Sequence, residues 1–316
     1  MRIHTLTSPV MSVSISDFGA RIVNWNVNVN GQDRPIVLGY ANTPQYAQDP
    51  YYLGAVAGPY ANRIEQGHVS IKGEQAIRLT QNDGRHHLHG GNEAFDQQVW
   101  TVASADAEHI TFQLVKADGW NGYPGPCDYS VTYRLQHNQL HLVMRVNAQK
   151  ITIAGPTGHS YFNLNGVDSN FSGLAQWLHT NATHHQLLNA ESLPSGDKYT
   201  IENLGLAAGR CVYLADIEGA ESLDANVVFS GESQVSTLWS KAKDLSLTVT
   251  STYPAAQLYS GKYLDKPFTV NQGVCIEPHF GAISEASGPH FNAIVTPGHE
   301  QTNAITYTIS TETFAP

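Results

Sequence analysis

Four stretches of this sequence set acid–base or metal-ligating side chains among glycines and apolar residues. In DGRHHLHGGNEAFDQQVW (83–100), His86, His87, His89 and Glu93 crowd around the Gly90-Gly91 pair. GPYANRIEQG (58–67) carries Asn62 and Arg63, and TGHSYFNLNG (157–166) carries His159 and Asn163. In GVCIEPHFG (273–281), Glu277 follows the apolar run Val274, Cys275, Ile276. Imidazoles near neutrality can take or give protons, and with carboxylates they can hold a divalent metal. A carboxylate after an apolar run is expected to be partly buried, so it must be paired, hydrogen-bonded or functional. Arginine beside small residues suits a planar partner, either a structural carboxylate or a ligand. Each stretch also has a structural reading: a satisfied core histidine for His159, a salt bridge for Arg63 or Glu277, loop residues for the histidine cluster.

These side chains must be positioned by β-structure. Val23, Trp25, Val27 and Val29 alternate with asparagines in VNWNVNVNG and run into Asn30-Gly31, a hairpin-turn dipeptide. The same period of two recurs in YSVTYRLQHNQLHLVMRV, in DLSLTVTSTY and in AITYTIS near the C-terminus. Helical periodicity of useful length is absent, and 27 Gly and 15 Pro supply frequent turns. No linker, fixed-period repeat or composition shift divides the chain. The expectation is one all-β domain over 1–316, a large antiparallel β-sandwich with its site in loops or on a concave sheet face.

Composition narrows the function. Seventeen Lys+Arg against 27 Asp+Glu give a net charge of −10, which argues against nucleic acid and anionic membrane partners. Three separated cysteines (Cys127, Cys211, Cys275) fit a reducing compartment rather than a disulfide framework. The N-terminal residues lack a signal-peptide pattern, and no apolar run reaches membrane-spanning length. The expectation is a cytoplasmic protein.

Two resemblances compete for the site residues. His87, His89 and Glu93 give H-x-H-x3-E, and His159 with Asn163 gives H-x3-N; both are similar to fragments of the cupin metal-binding motifs. The flanking glycines of that pattern are replaced by Gln81 and Trp100. The second resemblance covers nearly the whole chain. GPYANRIEQG, LHGGNEAFDQQVW, DGWNGYPGPCDYSVTYRL, HSYFNLNG, LPSG, LDANVVF, QLYSG and CIEP occur in the order of the successive signatures of the aldose 1-epimerase (galactose mutarotase) family.

The second resemblance implies a galactose mutarotase-like supersandwich with a sugar cleft on one sheet, and a cofactor-free, metal-free isomerase of free aldoses, monomeric or homodimeric. It implies Glu277 as general base on the anomeric hydroxyl, His159 as general acid on the ring oxygen, and His89 as a supporting catalytic histidine. It assigns Arg63, Asn62, Asp224 and Gln257 to sugar hydroxyls; His86 and His87 are then read as loop neighbours, with His87 a weaker second candidate for the cleft. Against the family pattern, Pro59 stands where arginine is common and Gly158 where asparagine is usual. LDANV replaces LDHNF, and PHFGAISEAS follows Glu277 in place of an Asp-Ala-x-Asn pattern. The alternatives are a non-catalytic sugar-binding protein of the same fold and the cupin-like metal enzyme.

Overall fold

The computed structural model describes residues 1–207, 209–231, 234–285 and 287–313. The last three positions of the expected 1–316 domain, and residue 286 in PHFGAISEAS, lie outside the described residues. Among these residues the helices are all short 3-10 turns, and none is long and apolar enough to cross a membrane.

Alternation becomes strands where the sequence shows it. VNWNVNVN forms Ile22–Val29, with Trp25, Val27 and Val29 buried. Asn30 and Gly31 both take positive φ at the turn, and Asn28 Oδ1 accepts the Gly31 N–H at 3.0 Å, closing the hairpin onto Gln32–Pro35. YSVTYRLQ and QLHLVMRV lie in the hairpin Cys127–Gln136 and Gln139–Ala148, whose apolar residues alternate inward.

Two large antiparallel sheets dominate. A nine-stranded sheet runs in space from Thr101–Ala105 through His109–Lys116, Cys127–Gln136, Gln139–Ala148, Gln301–Ser310, Ser246–Ser251, Gln234–Ser240 and Gln176–Thr180 to Val212–Tyr213. The chain's last strand therefore sits in the middle of this sheet. A six-stranded sheet runs from Tyr161–Phe162 through Val274–His279, Ala255–Tyr259, Asp224–Val228 and His184–Leu188 to Pro194–Thr200. One hydrophobic core joins Val227, Leu258, Val274 and Ile276 of the smaller sheet to Leu142, Leu238, Leu247 and Ile305 of the larger. It also takes in Trp25 of the N-terminal four-stranded sheet, whose ring stands 5.8 Å from that of Tyr307. This is the sandwich expected from the sequence, with inner faces alternating against outer ones.

That alternation sets up the site. In the smaller sheet Asn226 pairs with Gln257, Gln257 with Glu277, and Asp224 with Tyr259. Ala225, Val227, Leu258 and Ile276 point into the core, so Asp224, Asn226, Gln257, Tyr259, Cys275 and Glu277 share the opposite face.

Candidate active site

A cavity opens on that face. It is lined by Glu277, His159, His89, Arg63, Asn62, Asp224 and Gln257, so the fold gathers all seven site residues expected from the sequence. Tyr51, Tyr52, Tyr161, Tyr259 and Tyr263 form aromatic walls.

Glu277 and Gln257 come from adjacent sheet strands, and the histidines come from loops laid over them. His159 follows the Thr157–Gly158 strand; its N–H donates to Ala55 O at 2.9 Å, and its carbonyl accepts from Gly54 N–H at 3.0 Å. This pairing brings Tyr52 over the site, its ring 5.8 Å from that of His159 and 4.7 Å from that of His89. His89 follows the two-residue strand His87–Leu88, which pairs with Arg63–Ile64. Gly90 lets this turn sit tightly: at its φ of +100°, a Cβ would lie 1.9 Å from Gly58 O.

His159 Nε2 lies 3.4 Å from Glu277 Oε2, with both side chains buried. The His89 and His159 rings are 5.4 Å apart. Burial, reinforced by the nearby Asp224 charge, pushes the Glu277 carboxyl well above its ordinary range. Burial pulls His159 down to about 4 and holds His89 well below the usual histidine value, with the His159 charge adding to the effect on His89. Low-dielectric surroundings thus disfavour the charged form of each group.

Asn62 is the hub of the polar contacts. Its N–H donates to His89 Nδ1 at 3.2 Å, and its Oδ1 accepts from Arg63 N–H at 2.7 Å. Its Nδ2 donates to Gln257 Oε1 at 3.1 Å, and Gln257 Nε2 donates to Asp224 Oδ1 at 2.6 Å. The first bond fixes the neutral His89 tautomer: with Nδ1 accepting, the proton is on Nε2, which becomes a donor. Asn62, His89 and Tyr52 all hold positive φ, +70°, +50° and +53°, a conformation costly for residues with a Cβ and frequent at functional sites.

Arg63 Nε donates to Asp83 Oδ2 at 2.7 Å, so the salt bridge and the cavity wall are one residue. Sequence reasoning missed Lys262, whose Nζ lies 3.1 Å from Asp224 Oδ2. It also passed over Tyr52 and the tyrosines inside HSYF and QLYSG. Lys262 directly follows QLYSG, and that adjacency was the available signal.

The cupin-like ligand set is not assembled. His87 bonds Thr80 O at 2.6 Å through Nδ1 and Tyr123 Oη at 2.8 Å through Nε2. It faces away from the cavity because consecutive strand residues point to opposite sides and Leu88 takes the cavity side. The expectation of His87 as a second cleft candidate is thereby corrected. His86 Nδ1 accepts from Gln66 N–H at 3.1 Å; Glu93 is exposed; Asn163 Nδ2 donates to Phe171 O and Gln272 O. His89, His159 and Glu277 do place potential ligand atoms within 4.8 Å of one another. However, a metal on His89 Nε2 would need the lone pair that the Asn62 bond leaves protonated.

The departures at positions 59 and 158 lie off the cavity wall. A Cβ on Gly158 would stand 2.8 Å from Tyr307 Oη, so asparagine has no room there. All three cysteines are free.

The sequence model of the family described as aldose 1-epimerase matches residues 2–308. The aldose 1-epimerase of Haemophilus influenzae is 31% identical over 263 residues, covering 80% of this chain and 76% of that protein. The galactose mutarotase of Mus musculus is 31% identical, covering 93% and 90%. Among solved structures, an aldose epimerase homologue from C. elegans superimposes with a TM-score of 0.88 at 24% identity, over 98% of this chain and 99% of that one, which is a likeness of fold. With a family match over nearly its full length and relatives of this similarity, the chain belongs to the aldose 1-epimerase family, whose members are isomerases.

Proposed function

We propose that this protein interconverts the α- and β-anomers of a free aldohexose, such as galactose or glucose, by acid–base ring opening and reclosure. The observation that carries the reading is the buried His159–Glu277 pair at 3.4 Å, facing a cavity that His89 and the Asp224–Gln257–Asn62 chain also line. In the reactive form Glu277 is ionised and His159 protonated. The Glu277 carboxylate takes the proton from the anomeric hydroxyl, C1=O forms, the C1–O5 bond breaks, and His159 gives its proton to O5. His89 Nε2–H donates to the same oxygen as negative charge grows there.

The open-chain aldehyde then faces a neutral carboxylic acid and a neutral imidazole. These are the forms favoured by the raised Glu277 and lowered His159 values, so the site supports ring opening. Rotation about C1–C2 presents the other carbonyl face, and the protons return along the same paths. Arg63, Asn62, Asp224 and Gln257 hold the remaining hydroxyls. No step in this scheme requires a cofactor or metal.

The test is polarimetry on freshly dissolved α-galactose and α-glucose, with and without EDTA. Acceleration indifferent to chelator is expected, and the ratio of the two rates ranks the substrates. Absence of acceleration across a panel of aldoses would leave a sugar-binding protein of the same fold.

A further inference from the structure

The polar row that forms the site does not stop at Gln257. Its cross-strand neighbour Asn226 is 1% exposed, yet neither Nδ2 nor Oδ1 has a hydrogen-bond partner among the described residues. The next strand brings Gln186 alongside, because His185 pairs with Val227, and Gln186 Oε1 is also buried and unpaired. His279 lies two residues beyond Glu277 on the same face, 1% exposed, with Nε2 unpaired. Most buried polar groups in proteins find a partner, so the three unpaired atoms of Asn226 and Gln186, side by side on neighbouring strands, require explanation.

The residues between them have little bulk. Ala255 is the cross-strand partner of both His279 and Val228. Gly281 lies over the patch without a side chain; a Cβ there would be 3.4 Å from Asn226 Nδ2 and 3.7 Å from Gln186 Oε1. Asn226 and Gln186 offer an amide donor and amide acceptors there, with no formal charge. A buried water needs two to four polar partners, and Asn226 with Gln186 supplies three unpaired polar atoms beside the bare Gly281.

We propose that Asn226 and Gln186 hold a buried hydration site beside the Asp224–Gln257 clamp, and that Asn226 is a positioning residue for that clamp. Asn226 stands beside Gln257 across the strands and two residues from Asp224 along its own, so water held there braces both hydroxyl-binding side chains. The inference rests on the sugar-binding role proposed for these two residues. It concerns substrate binding, since the acid–base pair lies on the other side of Gln257.

The test combines a high-resolution crystal structure with kinetics on galactose for the wild type, Asn226→Leu and Ala255→Val. The first variant replaces the amide with an apolar group of similar volume; the second adds two methyl groups while keeping Asn226. The expected result is ordered water hydrogen-bonded to Asn226 and Gln186 in the wild type and lost in both variants. KM should rise roughly tenfold, with kcat within about twofold. Unfolding temperatures are expected to fall somewhat in both variants, because loss of the water leaves Gln186 Oε1, and in Ala255→Val the Asn226 amide as well, buried without a partner; KM is read on the folded protein.

If Asn226→Leu does not fold, Ala255→Val carries the comparison. A wild-type structure without water within hydrogen-bond reach of Asn226, or an unchanged KM in the folded variants, overturns the proposal. Were the wild type to turn over no aldose, the reading of the reaction would fall. The hydration site would still be tested by the crystal structure and by calorimetric binding of galactose.

Discussion

At the scale of single residues, the proposed chemistry rests on one proton shared by Glu277 and His159. Glu277→Gln keeps the size of the side chain and a hydrogen-bonding end but cannot take a proton; His159→Asn loses the acid. Each is expected to retain the fold and galactose binding and to lose about 10²–10⁴-fold in kcat, measured by polarimetry against calorimetric binding. The pH profile is a separate check. A second proton on the pair falls mainly on His159, whose value is lowered to about 4, so the protonated and inactive form gathers only as pH falls through that region. The shared proton leaves only above the raised Glu277 value. The kcat/KM profile should therefore have its acid half-point nearer 4 than the ordinary histidine value of about 6.5. An acid limb centred near 6.5 would show that His159 titrates as an exposed imidazole.

At the scale of elements, the loops over the sheet are held by a buried ion pair that the sequence reading did not pick out. Arg21 is fully buried; its Nη1 donates to Asp49 Oδ2 at 2.9 Å and to Leu53 O at 3.1 Å, and its Nη2 donates to Asp96 O at 2.9 Å. Asp49 also accepts from the Tyr51 and Leu53 N–H groups, so it shapes the turn that carries Tyr52 over His89 and His159. Asp49→Ala leaves a buried guanidinium without its counter-charge. It should cost about 3–5 kcal/mol in urea unfolding. Turnover should fall in the protein that remains folded, because the Tyr52 wall loses its support.

At the scale of the whole molecule, the last strand decides when folding can finish. Gln301–Ser310 lies between Gln139–Ala148 and Ser246–Ser251, with ladder bonds to both. Deleting residues 301–316 would leave two unpaired strand edges in the middle of the larger sheet and expose core around Leu142 and Leu247. The truncated chain is expected to be insoluble or to lack cooperative thermal unfolding by circular dichroism. A soluble, cooperatively folded product would mean that the two halves of the sheet are stable apart.

The sequence by itself determined the fold class, because period-two patterning is a local property and every strongly alternating stretch became a strand. Through motifs in the right order it also marked seven of the residues that line the cavity. The family resemblance, not local sequence, set His89 above His87. That choice depends on which face of a two-residue strand meets the cavity, and on the positive φ that turns His89 inward after it. Lys262, Tyr52 and the Arg21–Asp49 pair were hidden for a related reason: each acts through a partner distant in sequence, such as Asp224 for Lys262. Only the tertiary structure set the two properties on which the chemistry turns. The tautomer of His89 follows from an N–H on another loop. The raised Glu277 and lowered His159 follow from burial that a sheet and three loops create together. Residue types can be read along the chain, whereas desolvation and hydrogen-bond partners exist only where the chain returns to itself.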